Sequence, residues 1–170
     1  MSLSIGLYIP TLSGGGAQRV ALNLAQGFVN HGCDGSLVLV KREGKLKDEI
    51  PAGVNVVELG TSRTLTSIPK LALHLKEARY DAFISFMNYA NICAVIASLL
   101  SRAPHKLIVT EHTTVSRSLQ EMGKMKGWGL SKLIRCMYQF ADHVTAVSEG
   151  AAEDLKRVAG LKDVHAIPNP

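Results

Sequence analysis

The sequence predicts an α/β fold: a doubly wound, mainly parallel sheet of about seven strands with helices on both faces. Three observations predict it. Short β-rich runs recur along the chain, and they are nearly continuous in apolar residues rather than alternating, which suits strands covered on both faces. Segments with helical spacing separate these runs. A cluster of glycines stands where the first run gives way to the first of those segments.

"SIGLYIP" (Ser4–Pro10) is the first strand. After it, Ala17, Val20, Ala21, Leu24, Ala25 and Phe28 recur at helical spacing, and Gly32 is placed to stop that helix. "SLVLV" (Ser36–Val40) and "VNVVEL" (Val54–Leu59) are the second and third strands. The link between them, "KREGKLKDEIPAG", is polar and reads as a solvated excursion with room for one helical turn. Helices over Ile68–Ala78, Ala90–Leu100, Leu130–Ala141 and Glu149–Val158 then precede the strands "AFISF", "KLIVTE", "HVTAVS" and "DVHAIP", in that order. Pro168 and Pro170 in the closing "IPNP" stop regular structure, and such an extended end reads as the start of a connection to something further.

Length and composition fit one domain: 170 residues, 46% hydrophobic and 19% charged. The longest strongly apolar run, Ile92–Leu100, is far short of the roughly 20 residues that cross a bilayer. The N-terminus carries no basic region followed by an apolar stretch, so no export leader is expected. Cys33, Cys93 and Cys136 are odd in number and widely spaced, which signals neither a disulfide framework nor a metal site and suits a reducing cytoplasm. The net charge of +5 is concentrated between Arg117 and Arg135, where five bases face only Glu121.

Gly14, Gly15 and Gly16 lie at the first strand-to-helix turn, the commonest phosphate site of a doubly wound sheet. Without Cβ atoms they let a ligand approach the backbone, and the helix N-terminus favours an anion; the plainer alternative is a tight turn with no ligand. "SGGGAQR" lacks the lysine and hydroxyl of a nucleoside-triphosphate loop. The dinucleotide fingerprint is also missing, because Arg19 occupies the place of its last glycine. Lys41 and Arg42, rather than an acid, follow the second strand, so a nicotinamide reading would favour the 2′-phosphorylated form.

"GGGAQRVALNLA", "FISFMNYANICAVIA", "VTEHTTVS" and "ADHVTAVSEGAAEDL", closing on "IPNP", resemble the N-terminal half of group 1 (family 4) retaining glycosyltransferases of GT-B architecture. The similarity runs through nearly the whole chain. It implies two Rossmann-like lobes facing each other across a cleft, of which this chain is the acceptor-binding one and the donor-holding C-terminal lobe is absent. The reaction implied is transfer, with retention, from a nucleoside-diphosphate sugar to a saccharide or lipid-linked acceptor, without a metal or a resident cofactor.

Residue by residue, the resemblance implies that Gly15 and Gly16 approach the donor, and that His112 reaches the donor sugar near the reaction centre. Gln18 replaces a frequent acidic residue on the donor side. Glu111 and Thr113 flank His112 and are placed on the acceptor side of the same cleft. Ser148 and Glu149 mark the turn after the sixth strand, as donor contacts or as a helix cap with its acidic first turn. Asn88 and Asn91 follow the fourth strand; one is expected to cap a helix and the other to meet the acceptor.

Lys124, Lys126 and Trp128 belong to a basic stretch interleaved with Met122, Met125 and Leu130. It reads either as a solvated face or as a surface for an anionic membrane and a lipid-linked acceptor. No stacking platform or recognition helix points to nucleic acid. The location expected is cytoplasmic, at the inner face of the membrane. Two rival classes are a free-standing subunit that pairs with a separate donor-binding chain, and an NADP-dependent oxidoreductase domain.

Overall fold

A computed structural model describes residues 2–170. Seven strands, β1 (Ser4–Ile9), β2 (Asp34–Leu39), β3 (Asn55–Glu58), β4 (Ala82–Phe86), β5 (Lys106–Glu111), β6 (His143–Ala146) and β7 (His165–Ala166), form one sheet in the order β3-β2-β1-β4-β5-β6-β7. Every pairing is parallel. Six helices connect them: α1 (Gly16–Asn30), α2 (Ile68–Ala78), α3 (Asn88–Ser101), α4 (Val115–Glu121), α5 (Lys124–Met137) and α6 (Glu149–Ala159). All seven expected strands are present, and α2 has the expected bounds.

Strands β1 to β4 split their side chains between two cores, whereas β5, β6 and β7 contribute to one of them only. Tyr8, Val38, Phe83, Val109 and Val144 pack with α2, α3, α5 and α6 on one face. Leu7, Ile9, Leu37, Leu39 and Phe86 pack with Val20, Ala21 and Ala25 of α1 on the other. The expected coverage of both faces is therefore uneven. Beside α1, an apolar trough of about 520 Å³ runs over β4 to β7, lined by Leu24, Phe28, Ile84, Ile108 and Ile167 among others.

Three local readings of the sequence need correction. The Lys41–Gly53 link is not merely solvated: Leu46 is buried with the α1 core, Leu12 N donates to Glu43 O at 2.9 Å, and Leu46 N donates to Leu12 O at 3.0 Å. A Cβ on Gly44 would collide with the Leu12 carbonyl, so the close approach requires glycine. The helix expected from Leu130 begins at Lys124 and ends at Met137, followed by a 3₁₀ turn over Tyr138–Phe140. Within it, Gly127 lets α5 lie directly on the Leu119 carbonyl of α4. Finally, α4 has no counterpart in the sequence reading. Its N-cap, Thr114, makes no side-chain cap; the carboxylate of Asp154 on α6 instead accepts the Ser116 N–H at 2.8 Å.

Candidate functional site

The strand order reverses between β1 and β4: the chain builds outward through β2 and β3, then returns to the other side of β1. At such a switch point the turns leaving the two neighbouring strands splay apart and open a crevice at their carboxyl ends. A cleft of about 500 Å³ occupies that place here, lined by Ser13, Gly15, Gly16, Gln18, Met87, Asn88, Glu111, His112, Thr113 and Ser118. The first turns of α1 and α3 open onto it, so its rim carries helix N-termini.

Gly15 is the N-cap of α1 and offers no side chain. A Cβ at Gly15 would press on Gln18 Oε1, which folds back over the turn, whereas a Cβ at Gly16 would meet nothing within 4 Å. Gly16 thus borders open space in the cleft.

His112 leaves the end of β5 on the α1 face of the sheet. Its ring stacks on Phe86 with centroids 5.4 Å apart and planes inclined by 30°. Both ring nitrogens are shielded from solvent, and neither has a protein hydrogen-bond partner. Burial lowers its pKa from the ordinary histidine value, which keeps the imidazole neutral at pH 7.

Glu111, one residue earlier, points to the opposite face and is only 2% exposed. Its Oε1 accepts hydrogen bonds from the Tyr138 hydroxyl and, at 3.1 Å, from Asn91 Nδ2. Asn91 Nδ2 also lies 3.1 Å from Thr110 O and 3.0 Å from the Tyr138 hydroxyl. Burial pushes the Glu111 carboxyl up to about 7 against the opposing pull of these two donors.

Of the residues singled out in the sequence, Gly15, Gly16, Gln18, Asn88, Glu111, His112 and Thr113 line one cleft. Asn91 does not: it is fully buried beneath the cleft, so the expectation that it caps a helix or meets an acceptor is corrected to a buried link between α3, β5 and the Tyr138 turn. Asn88 Oδ1 accepts the Tyr89 N–H at 2.8 Å while the residue borders the cleft. Ser148 caps α6, accepting the Ala151 N–H at 3.3 Å, with Glu149 in the first turn; both are exposed outside the cleft. Lys124, Lys126 and Trp128 lie exposed on α5 and do not line the cleft. Sequence reasoning passed over Met87 and Ser118, which line the cleft, and Phe86 and Tyr138, which support it; an isolated Met or Phe at a strand end carries no signal of such a role.

Among the described residues, no group of three or more His, Cys, Asp or Glu side chains is placed to hold a metal ion. Among the described residues, no helix is long and apolar enough to cross a membrane.

An all-parallel sheet with a cleft at its switch point defines a Rossmann-like α/β domain. The sequence pattern of Glycosyltransferase Family 4 matches residues 14–170, and the chain belongs to that family. It is 27% identical, over 99% of its length and 46% of the relative's, to a Campylobacter jejuni α-1,4-N-acetyl-D-galactosaminyltransferase that acts on a GalNAc-containing diphospho-undecaprenol. Its fold matches the lipopolysaccharide outer core galactosyltransferase WaaB in its apo form, with a TM-score of 0.70 and 18% identity over 99% of this chain and 46% of that one. Anabaena HepE in complex with UDP-glucose matches with a TM-score of 0.70 and 19% identity over 98% of this chain and 44% of that one. The chain therefore spans about half the length of the relatives it matches.

Proposed function

We propose that this chain is the acceptor-side lobe of a retaining glycosyltransferase, which moves a sugar from a nucleoside-diphosphate sugar to a hydroxyl of a saccharide or lipid-linked acceptor. The observation that carries the reading is His112: a neutral imidazole at a switch-point cleft with neither nitrogen bonded by protein. A neutral imidazole offers one donor and one acceptor, which matches a sugar hydroxyl. The N-termini of α1 and α3 at the rim suit a diphosphate and the negative charge it gains on leaving.

In the transfer, the bond from the anomeric carbon to the diphosphate oxygen breaks, a bond to the acceptor oxygen forms on the same face, and the acceptor proton leaves with the nucleoside diphosphate. Helix dipoles and basic side chains supply the electrostatic stabilisation, so this reading calls for neither metal nor cofactor. The nucleotide sugar is a substrate, held largely by a second lobe. The UDP-glucose bound to HepE and the lipid-diphosphate acceptor of the Campylobacter relative support these substrate classes.

The exposed face of α5 supports a peripheral contact with anionic membrane on the cytoplasmic side. Met125 and Trp128 are 89% and 68% exposed beside Lys124 and Lys126, and Lys132 Nζ lies 5.8 Å from the Trp128 ring centre.

A transfer assay with UDP-, GDP- and ADP-sugars and lipid-linked acceptors tests the proposal. The chain alone is expected to be inactive, and the same chain joined to a donor-binding lobe is expected to transfer sugar. Turnover by the chain alone on the order of 1 per second or faster would refute its assignment as half of a site.

A further inference from the structure

Among the described residues, three other than glycine have positive φ: Arg79, Met87 and Arg102. Arg79 (φ 50°, ψ 53°) and Arg102 (φ 52°, ψ 24°) are left-handed C-caps of α2 and α3, an ordinary way to end a helix. Met87 is different. Its φ of 78° and ψ of 136° lie outside the left-handed helical region, where a Cβ is strained, and it sits at the N-cap of α3, where it has no oxygen to offer. Two local rules are thus broken at one residue, and that residue lines the cleft.

Strain of this kind persists only where the surroundings over-determine it. Here, Met87 N donates to Thr110 O at 3.3 Å and Met87 O accepts the Asn91 N–H at 2.8 Å. Asn91 is itself fixed, through its side chain, to Thr110 O, Glu111 and Tyr138. The buried amide and acid beneath the cleft therefore hold the turn above them. In that conformation Met87 remains 38% exposed, with Sδ 3.9 Å from Gln18 Nε2 across the opening between α1 and α3.

We propose that Met87 is a specificity-determining wall of the cleft, held in a strained conformation by the Asn91–Glu111–Tyr138 network so that its thioether limits which sugar ring fits between Gln18 and His112. The inference rests on the saccharide reading of the cleft. A glycine would satisfy the backbone without strain but leave the wall open. A flexible thioether excludes by shape and contact rather than by hydrogen bonding, so the selection it makes is among sugars that differ in bulk.

The test compares wild type, Met87→Gly and Met87→Ala in thermal melts and in saturation-transfer NMR with methyl glycosides of glucose, galactose and their 2-acetamido forms. Met87→Gly relieves the strain and is expected to melt about 3 to 6 °C above Met87→Ala. Both variants are expected to narrow the preference between the best and worst glycoside by about tenfold. A Met87→Gly protein that melts at or below Met87→Ala would overturn the strain, and an unchanged order and ratio of glycosides in both variants would overturn the wall. Wild type that binds no glycoside would remove the saccharide reading and this inference with it; wild type that binds them with a preference Met87 does not set would remove the inference alone.

Discussion

The Tyr138 hydroxyl donates to Oε1 of Glu111, and both residues are buried, beneath a cleft that Glu111 itself helps to line. The pair ties the 3₁₀ turn after α5 to the end of β5, next to His112. Its acid holds a proton where an exposed carboxylate would not, and this has a consequence for stability.

Glu111 has a folded pKa of about 7, raised from 4.5. Between those values the folded chain keeps a proton that the unfolded chain has released, so this stability is full below about 4.5 and is lost as pH rises through about 7. The difference amounts to about 3 kcal/mol at most. Glu111→Gln stays neutral and can still accept from Tyr138 and Asn91. Melting curves from about pH 5 to about pH 9 are expected to show a flatter profile and a higher melting temperature above pH 7 for Glu111→Gln. A slope identical to wild type would place the titration elsewhere.

His112→Ala and Gly16→Val are expected to leave folding nearly intact, since the His112 nitrogens bond nothing in the protein and a Cβ at Gly16 meets open space. In a two-lobed protein, each is expected to lower transfer on the order of a hundredfold. Because burial holds the imidazole below the ordinary histidine range, activity that needs the neutral ring is kept at pH 7 and is lost as pH falls through that lowered value. Thermal melts run beside the kinetics separate loss of the site from loss of the fold.

Asp154 caps α4 from another helix. Burial alone would raise its carboxyl, but hydrogen bonds from Ser116 and Arg157 outweigh that and hold it below the usual carboxylate range. The stability it contributes is present above the ordinary carboxylate pKa and is lost as pH falls through the lowered one. Asp154→Ala is expected to cost about 1 to 2 kcal/mol in denaturant unfolding at neutral pH, and Asp154→Asn less, because the amide oxygen can still accept the Ser116 N–H. Equal costs for the two would mean that the carboxylate charge, rather than the cap, carries the contribution.

Replacing Lys124, Lys126 and Lys132 by Gln is expected to weaken sedimentation with anionic vesicles, and Trp128→Ala to weaken whatever binding persists in salt. Raising salt from 0.1 M to 1 M shortens the Debye length from about 10 Å to about 3 Å and separates the two contributions. Equal partitioning to anionic and zwitterionic vesicles, or none to either, would leave α5 a solvated basic face.

The strands were legible because a parallel sheet buries both faces, and runs such as Leu7–Ile9 and Leu37–Leu39 say so directly. Gly15, Gly16 and His112 were legible as one site because strand carboxyl ends converge in this topology. What stayed hidden depends on contacts distant in sequence. The start of α4 is set by Asp154, on another helix. Gly127 looks like a helix breaker until α4 is seen pressed against it. Asn91 has the composition of a surface or capping residue, yet its partners Glu111 and Tyr138 come from β5 and the turn after α5. Leu46 sits in a polar stretch, and only its seat against the α1 core reveals it as an anchor.

Amide chemical shifts of the isotopically labelled chain, followed during titration with saccharides and nucleotide sugars, test most directly that the switch-point cleft of this chain is the acceptor half of a transferase site. Saccharides are expected to perturb Gly15, Gly16, Asn88, His112 and Thr113 together, with nucleotide sugars perturbing the glycines only weakly. Perturbation confined to surfaces away from these residues, or tight nucleotide-sugar binding with no response to any saccharide, would contradict it.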